Sequence, residues 1–118
     1  RKMHLEEVVE QTGLYELADG TILDSIKGIL MNEEKTRQVQ PQTIILLKLF
    51  LCTQDYRLTT EDINKKLWEG KGNSSQIHAV IHRLREALKD VSSLIVEKED
   101  KYYCLKMPHS IEKNSTEA

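Results

Sequence analysis

The chain has 118 residues and carries 17 Lys and Arg against 19 Asp and Glu, a formal net charge of −2. That length fits one domain, and 39% hydrophobic with 31% charged residues supplies both a core and a soluble surface, which excludes a disordered or fibrous chain. No run nears the ~20 apolar residues of a membrane helix, the longest being broken at Lys48, and the near-neutral charge gives no bulk basicity from which to argue a nucleic-acid partner.

Residues 1–13 place Met3, Leu5, Val8 and Val9 among Glu6, Glu7 and Glu10, which predicts a short helix or linker stopping at Gly13. The chain opens at Arg1 with no signal-peptide pattern, so the expectation is a piece of a longer protein whose upstream region is missing. Leu14-Tyr15-Glu16-Leu17 and Thr21-Ile22-Leu23-Asp24 flank Ala18-Asp19-Gly20, and Asp-Gly predicts a hairpin. Gly28–Met31 and Thr36–Val39, separated by Asn32-Glu33-Glu34-Lys35, predict a second. Pro41 opens an apolar run to about Thr53, with proline at the first helical position, where its missing N–H costs nothing. This should be the buried central helix.

Thr59-Thr60-Glu61-Asp62 supplies a hydroxyl cap and first-turn acids for a short amphipathic helix through Ile63, Leu67 and Trp68, ending at Gly70. The next helix is the most regular: Ile77, Val80, Ile81, Leu84 and Leu88 fall at i, i+3, i+4, i+7 and i+11, one apolar stripe. Ser75, Ala79, His82 and Glu86 run along the opposite face, with His78 and Lys89 on one flank and Arg83 on the other. Leu94–Glu97 and Tyr102–Leu105 bracket Lys98-Glu99-Asp100-Lys101, predicting a third hairpin with its turn over 98–101 and with one of Tyr102 and Tyr103 packed and the other outward. Residues 108–118 read as a disordered tail. Cys52 and Cys104 sit in apolar patterns outside any Cys-x-x-Cys or Cys/His cluster; both read as reduced, packed thiols, and the compartment implied is the cytosol.

The resulting class is α+β: an N-terminal antiparallel β-meander, three helices and a C-terminal β-hairpin, within a domain spanning 14–107. Two helices joined by a loop and followed by a β-ribbon are the layout of a winged helix-turn-helix. On Asp19-Gly20, on Val39-Gln40-Pro41-Gln42-Thr43 leading into Leu46-Leu47, on Leu67-Trp68 with Gly70, on Ile77-His78-Ala79-Val80-Ile81-His82-Arg83-Leu84-Arg85 with Leu88, and on Tyr103-Cys104-Leu105, the chain resembles the C-terminal effector domain of OmpR/PhoB-type bacterial transcription regulators. The resemblance covers about Leu14 to Leu105.

It implies a DNA-binding transcriptional regulator, the output module of a larger signalling protein, with a recognition helix at about 74–89 in the major groove. Arg83 matches the family's base-reading arginine; His78, Ala79 and His82 match positions that face DNA; and Arg85 matches an arginine that contacts the backbone or braces the helix. The chemistry fits these roles, since arginine can donate two hydrogen bonds to guanine and alanine admits close approach or a thymine methyl. Lys71, Ser74 and Ser75 are phosphate-contact candidates. The loop Trp68, Glu69, Gly70, Lys71, Gly72 and Asn73 corresponds to one that touches RNA polymerase, against the plainer reading of a connector with a core tryptophan. Further implied partners are promoter duplex DNA, a second copy as a dimer or tandem on repeated half-sites, and an upstream receiver or a sensor that could be membrane-tethered. No cofactor is implied.

Residues 71–90 hold Lys71, Arg83, Arg85 and Lys89 against Glu86 and Asp90, the one positively charged block in the chain. The sequence departs from the family at the wing, where Glu97-Lys98-Glu99-Asp100-Lys101-Tyr102 replaces the usual glycines and minor-groove arginine. Read this way, Glu97, Glu99 and Asp100 repel phosphate and Lys98 and Lys101 remain for wing contacts. Gln40 and Thr43 also remove the capping box usual before the central helix.

Two other function classes have some support in the sequence. A winged helix used for protein contact draws on the acidic wing and near-neutral charge. A metalloenzyme would draw on His78 and His82 at i, i+4, but position 79 is alanine where the catalytic motif needs glutamate, and neither His4 nor His109 must approach that face. No metal site is assigned, and no Ser, Cys or carboxylate has a catalytic partner in sequence, so the chain is read as not an enzyme.

Overall fold

The structure is a computed structural model that describes residues 13–53 and 55–108. The helix or linker expected over 1–13 and the tail expected over 108–118 lie outside those residues except for Gly13 and Pro108. Four short strands, β1 (Leu14–Glu16), β2 (Ile22–Asp24), β3 (Ile29–Met31) and β4 (Thr36–Gln38), form an antiparallel meander in sequence order. Asp-Gly turns the first hairpin as expected: Gly20 takes φ +91, a conformation glycine adopts without strain, and the Asp19 carboxylate accepts the Thr21 N–H at 3.1 Å. Asn32 turns the third pair by accepting the N–H groups of Glu34 and Lys35, both at 2.7 Å.

Tyr15, Leu23, Leu30 and Arg37 lie opposite one another across the four strands, so they share one face of the sheet. The two leucines are fully buried in the core, Tyr15 lies under Lys48 of the first helix, and Arg37 reaches the third helix.

Helix α1 (Pro41–Cys52) has Pro41 in its first turn, and Gln40 gives it no side-chain cap. Thr43, Leu46, Leu47 and Phe50 turn inward. Cys52, expected to be packed, is exposed at the last turn, because it falls on the outer face with Ile45 and Lys48; Cys104 is buried, and both are free thiols. After α1 comes a strand that the periodicity did not reveal, β5 (Arg57–Thr59), too short for alternation to register over three residues. Helix α2 (Thr60–Trp68) begins with a reciprocal capping box between Thr59 and Asp62. Helix α3 (Ser74–Val91) begins with another, between Asn73 and Gln76, and buries Ile77, Val80, Ile81, Leu84, Ala87, Leu88 and Val91 against α1 and both sheets.

The last two strands, β6 (Ile95–Glu99) and β7 (Tyr102–Lys106), pair antiparallel, and β5 joins the far side of β7 in the order β5-β7-β6. The expected hairpin is therefore part of a three-stranded sheet. Its turn is Asp100-Lys101 alone, with Glu99 opposite Tyr102 and Asp100 at φ +55. Tyr103 is buried and Tyr102 half-exposed, the alternation expected of adjacent strand residues. Among the described residues, no helix is long and apolar enough to cross a membrane.

Candidate nucleic-acid interface

One face of α3 is solvent-exposed, and the sequence-predicted residues lie on it. Ser74 and Ser75 occupy its exposed first turn, followed by His78, His82, Arg83 and Arg85, all exposed, with Ala79 half-buried. At 100° per residue, His78, His82, Arg85 and Lys89 form a band on the side toward β6, while Ala79, Arg83 and Asp90 lie toward the other flank. Arg85 is a brace: its Nε–H donates to the Val96 carbonyl at 2.9 Å, and its guanidinium lies 5.8 Å from the centre of the Tyr103 ring. It ties the helix to the edge strand of the β-ribbon, and its charge remains at the surface.

Lys71 is exposed just before the helix, in a loop that is tightly built. Glu69 and Gly70 take positive φ, and their N–H groups donate back to the Lys65 and Asn64 carbonyls. The Asn64 side chain holds Gly72 by both backbone groups, donating to its carbonyl at 3.0 Å and accepting its N–H at 2.8 Å. Trp68 closes over Gly72 and packs against the core. Of this loop, Trp68, Gly72 and Asn73 serve the local structure, and Glu69, Gly70 and Lys71 are exposed.

The β6–β7 hairpin differs from the sequence reading because of register. With the turn reduced to Asp100-Lys101, Lys98 and Glu99 belong to β6 and point to opposite faces. Glu97 and Glu99 lie with Tyr102, Cys104 and Lys106 on the face turned from α3. There Lys106 pairs with Glu97 and, at 2.6 Å, with Glu99, while Arg57 stacks on Tyr102 at 4.9 Å and lies 3.9 Å from Glu99. The hydrogen bonds it donates to the Glu97 and Glu99 carboxylates hold the Lys106 ammonium above the ordinary lysine value. Both carboxylates are thus paired, Glu97 also bordering the groove between β6 and α3. Lys98 is on the helix-facing side, its ammonium 5.2 Å from the Tyr103 ring centre, so Tyr103 carries Arg85 and Lys98 together. Lys101 and Asp100 stand exposed at the tip.

The candidate residues drawn from the sequence did not include Lys89, which is exposed one turn beyond Arg85 on the same band of the helix. It also missed what fixes α3 from behind, since those contacts span 49 to 74 residues of chain. The last helix carbonyls need partners from elsewhere. Val91 accepts from Asn32 Nδ2 at 2.8 Å and from the buried Thr21 hydroxyl at 3.3 Å. Arg37 donates to the Glu86 carbonyl and to Asp90, each at 3.2 Å. The Asp19 carboxylate accepts the Ser92 hydroxyl and the Ser93 N–H, both at 2.7 Å.

Among the described residues no group of three or more His, Cys, Asp or Glu could hold a metal ion. No protein-family model matches this chain, and no curated protein matches it.

Proposed function

We propose that this chain is a winged helix-turn-helix DNA-binding module, the output domain of a larger bacterial transcription regulator, with α3 as the recognition helix in the major groove. One observation carries the reading. The exposed face of α3 offers Ser75, His78, His82 and Arg83 around the small Ala79, with Arg85 and Lys98 beside it, while Glu97 and Glu99 are paired on the far face of the wing. A helix that reads bases needs donors, close approach and local positive charge on one face, with the opposite face buried. Arg83 is assigned the base contact and Ala79 the close approach; Ser74, Ser75 and Lys71 are assigned phosphate contacts.

On the same reading, Glu69, Gly70 and Lys71 form the surface for RNA polymerase, copies of the module bind repeated half-sites as a dimer or tandem, and a receiver or sensor acts from upstream. The alternative, a winged helix for protein contact, drew on the acidic wing, and Glu97 and Glu99 lie on the face turned away from α3.

The test is a salt titration of binding to random and promoter-derived duplexes. The expected outcome is affinity for both that falls linearly in log Kd against log salt, with tighter binding to a subset of promoter sequences. Undetectable binding at low salt, or binding indifferent to salt, rejects the reading.

A further inference from the structure

Between the C-terminal half of α3 and the edge strand β6 runs an open groove of about 490 Å³, whose cations are Arg85, Lys89 and Lys98 and whose floor includes Leu94 and Val96. We infer that this groove is a phosphodiester site, so that the module grips the DNA backbone at the root of its wing and does not insert the wing tip into the minor groove. The inference rests on the DNA-binding reading and specifies how the wing takes part in it.

Three observations meet here. First, the cations are positioned. Arg85 is fixed by its bond to the Val96 carbonyl, and the Tyr103 ring carries both Arg85 and Lys98, so two positive side chains are held by one buried aromatic group. A charge held in place this way gives up less conformational freedom on binding an anion than one on a free side chain. Second, the sign of the groove is decided by pairing. Glu97 is the one carboxylate among its lining residues, and Lys106 already holds it; Lys89 and Lys98 form no ion pair among the described residues. Third, the tip is poorly made for a minor groove. Its two turn residues are Asp100 and Lys101, with Glu99 directly behind and no arginine. A turn whose single lysine has an exposed carboxylate beside it, and which has no arginine, offers little to the negative potential that draws arginine into narrow minor grooves.

Lys89 extends the site along the helix. It falls on the same side of α3 as Arg85, His82 and His78, so the band of donors runs unbroken from the major-groove face to the groove floor. A backbone strand leaving the recognition surface would cross it.

The experiment compares Lys89→Ala, Lys98→Ala, Lys101→Ala and Asp100→Ala with the unaltered chain, measuring binding to one specific and one random duplex across a salt series. All four side chains are exposed, and a thermal melt verifies that each variant is folded. Lys89→Ala and Lys98→Ala should weaken both duplexes by the same factor and lower the salt slope by about 0.9 each, the value for one lost phosphate contact. Lys101→Ala and Asp100→Ala should leave the slope unchanged. Excess inorganic phosphate should compete only as its ionic strength predicts, which separates a duplex backbone site from a pocket for the free anion; stronger competition overturns the assignment. Unchanged slopes in Lys89→Ala and Lys98→Ala, or a larger loss in Lys101→Ala, also overturn it while leaving DNA binding intact. Absence of salt-dependent binding by the unaltered chain fails the underlying reading instead.

Discussion

At the scale of single residues, Asp19 and Arg83 show what a sequence reveals and what it hides. Asp19 before Gly20 is legible as a turn, because the carboxylate closes locally on the Thr21 N–H. Its other oxygen accepts from Ser92 and Ser93, more than 70 residues away, and no local pattern announces that. Burial pushes the Asp19 carboxyl up, but the hydrogen bonds from Ser93, Ser92 and Thr21 outweigh it and hold the group below the ordinary value of 3.8. A carboxylate lowered in the folded state stabilises the fold above that ordinary value, and the contribution fades as pH falls through the folded value. Asp19→Asn should therefore be less stable than the unaltered chain by on the order of 1 kcal/mol at neutral pH. The gap should close below pH 3.8, as read by urea melts at several pH values. Arg83 is the opposite case, exposed and positioned by helical period alone, so its placement was legible. Arg83→Ala should cost about 1–3 kcal/mol on the preferred site and relax the preference there, measured by binding to single-base variants. An unchanged preference removes its base-reading role.

At the scale of elements, legibility followed length and capping. Helix α3 was readable from its 3.6-residue stripe, and α2 from Thr59 and the acids after it. Strand β5 has three residues and no room for alternation, and the β6–β7 turn is shorter than composition suggests because Lys98-Glu99-Asp100-Lys101 looks like a polar loop. Only the pairing of Glu99 with Tyr102 shows that two of those four residues are strand, and that shift decides which face each charge occupies. The loop between α2 and α3 was legible as a loop but not as a rigid one. A Cβ on Gly72 would stand 2.6 Å from the Trp68 ring, closer than packing allows. Gly72→Ala should thus destabilise by about 1–3 kcal/mol through overpacking, seen as a lower urea midpoint. It should also move the Trp68 fluorescence, since the indole must shift or the loop must open.

At the scale of the whole molecule, the four-stranded sheet ends up holding the C-terminal end of α3. The helix runs from a capped start to a last carbonyl, that of Val91, which takes partners from Thr21 and Asn32 at the sheet's turns, while Arg37 of the sheet holds the Glu86 carbonyl one turn earlier. The row Tyr15, Leu23, Leu30, Arg37 spans from α1 to α3, with Tyr15 against Lys48 at one end and Arg37 against Asp90 at the other. If α3 reads DNA, its angle in the groove depends on this grip, and loosening it should cost affinity without removing a phosphate contact. Thr21→Val with Arg37→Ala removes two of the donors and leaves Asn32 and the hydrophobic core. The expected result is a fold that melts slightly lower and binds its preferred duplex several-fold more weakly. The selectivity between preferred and random duplexes should shrink, while the salt slope stays unchanged because no DNA-facing cation has gone. The slope is the discriminating quantity. Were it to fall by about 0.9, Arg37 would itself be meeting a phosphate, and the sheet would be part of the interface and not its support. Were affinity and selectivity both untouched, the grip on α3 would serve stability alone.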